Sequence, residues 1–108
     1  MNTKFQKAFK GLSNKEFQQK LNEDSSAILM DVRTPEEFRS ERIPNSVNAN
    51  VISSSFMNKI SSLDKSKTYF VYCRSGGRSA QACSIMADEG FNVYNLIGGI
   101  GSWTGEVC

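Results

Sequence analysis

The sequence predicts an α/β layered domain on a central, mainly parallel sheet flanked by helices. Strand-type and helix-type segments alternate along the chain, the order that βαβ units produce. The clearest strand segments are short continuous runs of apolar, β-branched or aromatic residues, as expected of strands covered on both faces. The length of 108 residues, with 39% hydrophobic and 22% charged residues, suits one domain over residues 1–108 with a core of its own. No repeat, linker or low-complexity stretch marks a second unit.

The elements follow in order. Ser13 and Glu16 fit a capping box, with Ser13 as N-cap and Glu16 at the third helical position. Phe17 and Leu21 then share one face of the first helix. The apolar run at residues 27–30 ends in Asp31, Val32 and Arg33 and reads as a buried strand. Thr34, Pro35, Glu36 and Glu37 open a second helix, with a cap, a proline at the first position and acidic residues at the positive end of the dipole. Pro44 keeps that helix short. Residues 46–51 are a weaker strand candidate because of their asparagines. Phe56, Met57, Ile60 and Leu63 are spaced as one buried helical stripe.

Thr68–Tyr72 is all strand formers and runs straight into Cys73. A helix is expected from about residue 79 to 89, with Gly90 as a left-handed C-cap. Residues 91–97 read as a last strand. Gly98 to Gly101 form a turn, and Trp103 anchors a short tail.

Composition narrows the chemistry. A net charge of +2, from 13 basic and 11 acidic residues, is too even to imply a nucleic-acid or membrane partner. Lysines scattered over residues 4–20 and 59–67 read as solvated surface. The absence of histidine removes Cys–His dyads, Ser–His–Asp triads and histidine-ligated zinc. Three widely spaced cysteines, Cys73, Cys83 and Cys108, suit neither a disulfide framework nor a metal knuckle. No metal or other cofactor is expected. Free thiols and an amino terminus without an apolar leader point to the cytoplasm. Nothing marks an interface, so a monomer is expected.

The segment Cys73-Arg74-Ser75-Gly76-Gly77-Arg78, between strand and helix, carries the chemistry. A residue at the carboxyl end of a parallel strand faces the crevice where α/β proteins bind ligands. Ser75, Gly76 and Gly77 permit a tight curl whose amides form an anion nest beside the next helix N-terminus. Arg74 and Arg78 add positive charge. Both features favour the thiolate of Cys73, the reactive form, and a persulfide anion equally.

These residues resemble the active-site loop of single-domain rhodaneses. The stretch from Asp31 to Phe38, DVRTPEEF, is similar to that family's D-V-R-x-x-x-E-[FY] segment. Arg42 to Asn48, RIPNSVN, is similar to H-I-P-G-A-x-N, and Gly98-Gly99 followed by Trp103 is similar to the closing G-G-x-x-x-W. Arg42 replaces the usual histidine and Asn45 the usual glycine. The resemblance implies a five-stranded parallel sheet and a sulfurtransferase acting by double displacement. Cys73 would take sulfur from an anionic donor such as thiosulfate, then pass it to cyanide, a thiol or a protein cysteine. Arg74, Ser75, Gly76, Gly77 and Arg78 would bind the substrate, their amides holding the transferred sulfur.

Two other functions remain open at this point. A cysteine phosphatase or arsenate reductase shares the fold type, but its loop is C-x-x-x-x-x-R. Here only four residues separate Cys73 from Arg78, a ring too small for a tetrahedral oxyanion. A non-catalytic binding or regulatory module is the second, although such modules usually lose the cysteine. Asp31 and Arg33 read as structural partners rather than an acid–base pair. Cys83, beside Ala82, Met86 and Ala87, reads as core. Cys108 is either a frayed end or a resolving thiol for Cys73.

Overall fold

Both capping boxes close. The Glu16 N–H donates to Ser13 Oγ at 3.2 Å while the Ser13 N–H donates back to the Glu16 carboxylate at 3.2 Å. Thr34 and Glu37 repeat the arrangement, again at 3.2 Å each way. In the computed structural model, which describes residues 8–108, these caps start helices α1 (Asn14–Glu23) and α2 (Pro35–Ser40). Residues 1–7, which carry part of the expected lysine scatter and the segment read for a leader, lie outside the described residues.

The remaining elements are strands β1 (Lys10–Leu12), β2 (Ile28–Asp31), β3 (Val47–Asn48), β4 (Thr68–Tyr72) and β5 (Asn92–Leu96), with helices α3 (Phe56–Ser61) and α4 (Gly77–Asp88). A single 3₁₀ turn, Ile100–Ser102, follows β5. The five strands form one sheet in the order β1-β5-β4-β2-β3, with every pairing parallel.

Several expectations change in detail. Strand β1 carries no strand signature: Lys-Gly-Leu is too short and too poor in β-formers, and it is ordered by pairing with residues 94–96 of β5. The candidate at residues 46–51 shrinks to two residues of β3. Helix α4 begins at Gly77, two residues earlier than expected, because Gly76 supplies the turn that frees it to start. Met57 does not join the buried stripe of α3. It is 47% exposed, whereas Phe56 and Ile60 are buried. At six residues, α3 is too short to bury more than one narrow line of contacts.

Alternation along β4 sorts the core into two layers. Tyr69 and Val71 face α3 and α4, where they pack with Phe56, Ile60, Cys83, Met86 and Phe91. Phe70 and Tyr72 face α1, with Leu12, Phe17 and Leu96. Edge-to-face rings tighten both layers: Tyr69 on Phe91 and Phe17 on Phe70, each with centroids 5.3 Å apart. A fully buried ring such as Phe70 contributes on the order of 2 kcal/mol through lost apolar surface. Trp103 meets Phe17 edge-on at 6.1 Å and donates its indole N–H to the Glu106 carbonyl, so it anchors the tail as the sequence suggests.

Helix α4 ends as predicted. Gly90, at φ 95°, donates to the Ala87 carbonyl while Phe91 donates to that of Met86, a Schellman closure. Asn45 has φ 69°, a left-handed conformation that asparagine tolerates better than most side chains, so its replacement of glycine is accommodated. Among the described residues no helix is long and apolar enough to cross a membrane.

The strand order places the site. From β2 the chain moves outward to β3, then returns past β2 to β4 and continues the other way to β5. The loops after β2 and β4 therefore diverge at their carboxyl ends and leave a crevice between them.

Candidate active site

Cys73 follows the last residue of β4 and is 1% exposed. Its thiol sits on the floor of the loop. The Gly76 N–H donates to Sγ at 3.1 Å, and the Ser79 hydroxyl donates at 3.3 Å. Burial pushes the thiol pKa up, but donation from the Ser79 side chain and from the backbone of Ser79, Gly76 and Ser75 outweighs it, leaving the thiol below its ordinary value. The pocket favours sulfur as an anion without any histidine.

The loop can present its amides because its carbonyls are held elsewhere. Ile100 N–H donates to the Cys73 carbonyl and Gly101 N–H to that of Arg74, both at 2.9 Å. The Gly76 carbonyl receives the Ala80 N–H at 3.0 Å. Gly76 itself has φ 108°, a left-handed conformation costly for any side chain. Gly99 packs so closely that a Cβ there would collide with the Cys73 and Arg74 carbonyls, which explains the Gly-Gly turn after β5.

The two arginines behave differently from simple anion receptors. Arg78 grips the Glu37 carboxylate with both terminal nitrogens, at 2.7 and 3.0 Å. Arg74 is 64% exposed at its side chain, with Nε 3.6 Å from the same carboxylate. The Arg78 hydrogen bond holds Glu37 at a pKa of about 2, assisted by the Thr34 backbone and hydroxyl against the opposing effect of burial. Glu37 thus couples the start of α2 to the loop after β4 and offsets part of the loop's positive charge.

The structure brings Cys73, Gly76 and Ser79 together at one sulfur atom. Gly77 begins α4 with open space where a side chain would stand, and Ser75 is exposed. Sequence reasoning missed Ser79 as a donor to the thiol. Its position in the first turn after the loop was the available signal. Glu37 was legible only as a cap, because its pairing with Arg78 spans 41 residues.

Asp31 and Arg33 are structural, as expected. Both are buried, and the guanidinium lies against the carboxylate with its shortest contact at 2.6 Å. Burial works against the Arg33 charge, but Asp31 restores it and leaves the guanidinium pKa raised. Arg33 also donates to the Glu41 carbonyl, fixing the far end of α2. Cys83 is fully buried, and burial pushes its thiol up to about 12, an inert core position. The end of the chain is tied rather than frayed: Cys108 and Arg42 exchange backbone hydrogen bonds at 2.8 and 3.0 Å, with the Cys108 side chain exposed. A cavity of about 430 Å³ lined by Leu21, Ile43, Pro44 and Trp103 lies on the α1 face, and none of residues 73–78 lines it.

Comparison with known proteins agrees with this geometry. The family model for the rhodanese-like domain matches residues 13–106. A putative sulfurtransferase of Bacillus subtilis, YtwF, is 35% identical over 97 residues, covering 90% of this chain and 92% of that protein. A sulfurtransferase of Allochromatium vinosum is 32% identical, with 85% of each chain covered. Among solved structures, a rhodanese-like domain protein from Staphylococcus aureus superimposes with a TM-score of 0.78 at 29% identity, over 90% of this chain and 93% of that one. A rhodanese-related protein from Thermoplasma volcanium gives 0.80 at 28% identity, over 92% and 97%. With motifs, sheet order, loop geometry and these relatives in agreement, the chain belongs to the rhodanese-like domain family.

Proposed function

We propose that the protein is a rhodanese-type sulfurtransferase in which Cys73 carries sulfur as a persulfide. The observation that carries this reading is the Cys73 thiol, buried yet met by the Gly76 amide and the Ser79 hydroxyl. The relatives named as sulfurtransferases support the general activity.

In the first half-reaction the Cys73 thiolate attacks the outer sulfur of a donor such as thiosulfate. A new S–S bond forms, the donor's own S–S bond breaks, and sulfite leaves with the electron pair. The persulfide anion takes the place of the thiolate in the cradle, so the same donors stabilise both states. In the second, cyanide, a thiol or a protein cysteine attacks the terminal sulfur, and Cys73 leaves as thiolate. No general base is needed where the nucleophile is already anionic.

The position of Arg78 also favours sulfur transfer over phosphoester hydrolysis. A phosphatase arginine must face the oxyanion bound over the cysteine, whereas Arg78 is held by Glu37. The test is thiocyanate formation from thiosulfate and cyanide, wild type beside Cys73→Ser, with intact mass to detect one added sulfur. We expect activity and adduct in the wild type, and a loss of at least about 10³-fold in a folded Cys73→Ser protein. Turnover retained in that variant, or Cys73-dependent hydrolysis of an aryl phosphate without sulfur transfer, overturns the assignment.

A further inference from the structure

We infer that Asn95 is a positioning residue for the Cys73 loop, holding the Gly76 carbonyl so that the Gly76 amide stays aimed at sulfur. The inference rests on the reading of Cys73 as the nucleophile and adds a residue that no motif marks.

Asn95 lies on β5, and by strand alternation it shares a face with Val93, towards α4. It is 6% exposed, beneath the first turn of that helix. Its amide Nδ2 donates to the Gly76 carbonyl at 3.4 Å. Its Oδ1 is buried without a hydrogen-bond partner among the described residues. Rotating the amide does not repair this, since it would set Oδ1 against the Gly76 carbonyl oxygen.

A buried amide with one end unsatisfied destabilises a fold relative to an apolar side chain of similar size. Its presence under a catalytic loop therefore points to what the other end does. Two adjacent glycines make the loop soft, and Gly76 has the freedom to rotate its N–H away from Sγ. The Ile100 and Gly101 amides pin the Cys73 and Arg74 carbonyls, and the Gly76 carbonyl is held by both the Ala80 amide at 3.0 Å and the Asn95 side chain at 3.4 Å. Of those pins, the Asn95 amide is the side-chain one, and a point substitution can remove it alone.

The test compares wild type with Asn95→Leu and Asn95→Ala by three readings: thermal melting, the pH dependence of iodoacetamide alkylation at the Cys73 peptide, and thiosulfate-to-cyanide turnover. For Asn95→Leu we expect a melting temperature at or above wild type. Alkylation of Cys73 at neutral pH should slow by about three- to tenfold, with its midpoint moved to higher pH. Turnover should fall by a similar factor. If Asn95→Leu does not fold, Asn95→Ala gives the same reading of the thiol. A folded variant with a wild-type alkylation profile overturns the inference, whatever its melting temperature. The two readings fail separately: wild-type Cys73 that alkylates readily but transfers no sulfur sinks the sulfurtransferase assignment, while the alkylation comparison still decides the role of Asn95.

Discussion

At the end of β2 the chain enters α2 through Thr34, whose hydroxyl accepts the Glu37 N–H while the Thr34 N–H donates to the Glu37 carboxylate. At the end of β4 it enters α4 through Gly76, which has no side chain to offer, and no side-chain cap closes that helix. Both are strand-to-helix turns at the same edge of a parallel sheet. In the first, the Glu37 amide of the helix start is taken locally by the Thr34 hydroxyl. In the second, the Gly76 amide and the Ser79 hydroxyl are left for the sulfur of Cys73. A helix N-terminus becomes a ligand site when the chain declines to cap it. Glu37 joins the two turns, since the carboxylate that completes the α2 cap also holds Arg78 of the α4 start.

The sharpest way to break this contrast is to give the second turn a side chain like the first. Gly76→Ser places a Cβ 3.3 Å from the Gly98 nitrogen and a side chain at φ 108°, which costs about 1–2 kcal/mol. Its hydroxyl would also compete with Cys73 for α4 amides. We expect sulfur transfer to fall by about tenfold or more, measured beside a melting curve. Full activity with only a lower melting temperature would show that the open turn is not what activates the thiol.

Cutting the link between the turns should have a smaller effect. Glu37→Gln removes the charge that holds Arg78 and weakens the α2 cap, at a cost of about 1–2 kcal/mol at pH 6. The sign of its pH dependence follows from the folded pKa of about 2 against an ordinary value of 4.5. A depressed carboxyl contributes its full stabilisation above the unfolded pKa and loses it as the pH falls towards the folded one. The stability gap between wild type and Glu37→Gln should therefore narrow from about pH 4.5 down to about pH 2 in denaturant titrations. A gap independent of pH would mean the Arg78 pair contributes nothing.

The smallest effect is expected at the capped turn itself. Thr34→Ala should destabilise by about 1 kcal/mol and leave turnover per folded molecule unchanged. A turnover loss beyond that attributable to unfolding would mean the first turn also shapes the site.

Much of this was legible along the chain. Capping boxes at Ser13 and Thr34, the strand at Thr68–Tyr72, the glycine loop and the Gly90 C-cap were each marked by residue types within a few positions of one another. The caps close their hydrogen bonds inside one turn, so residue type and spacing determined them, whereas the strand and the loop were marked by residue type although their partners lie on β2, β5 and the turn after β5. The sequence by itself also placed Cys73 at the end of a strand and before a helix, and kept Cys83 in the core. Only the tertiary structure decided the pairing of β1 with β5, the exposure of Met57, the Glu37 grip on Arg78, the close seat of Gly99 against the Cys73 carbonyl, and the Arg42–Cys108 closure. Most of these join residues far apart in the chain, and their partners are chosen by sheet order. By running outward from β2 and back past it to β4, the chain brings the loops after β2, β4 and β5 to one edge, where charges and carbonyls with no local partner find each other.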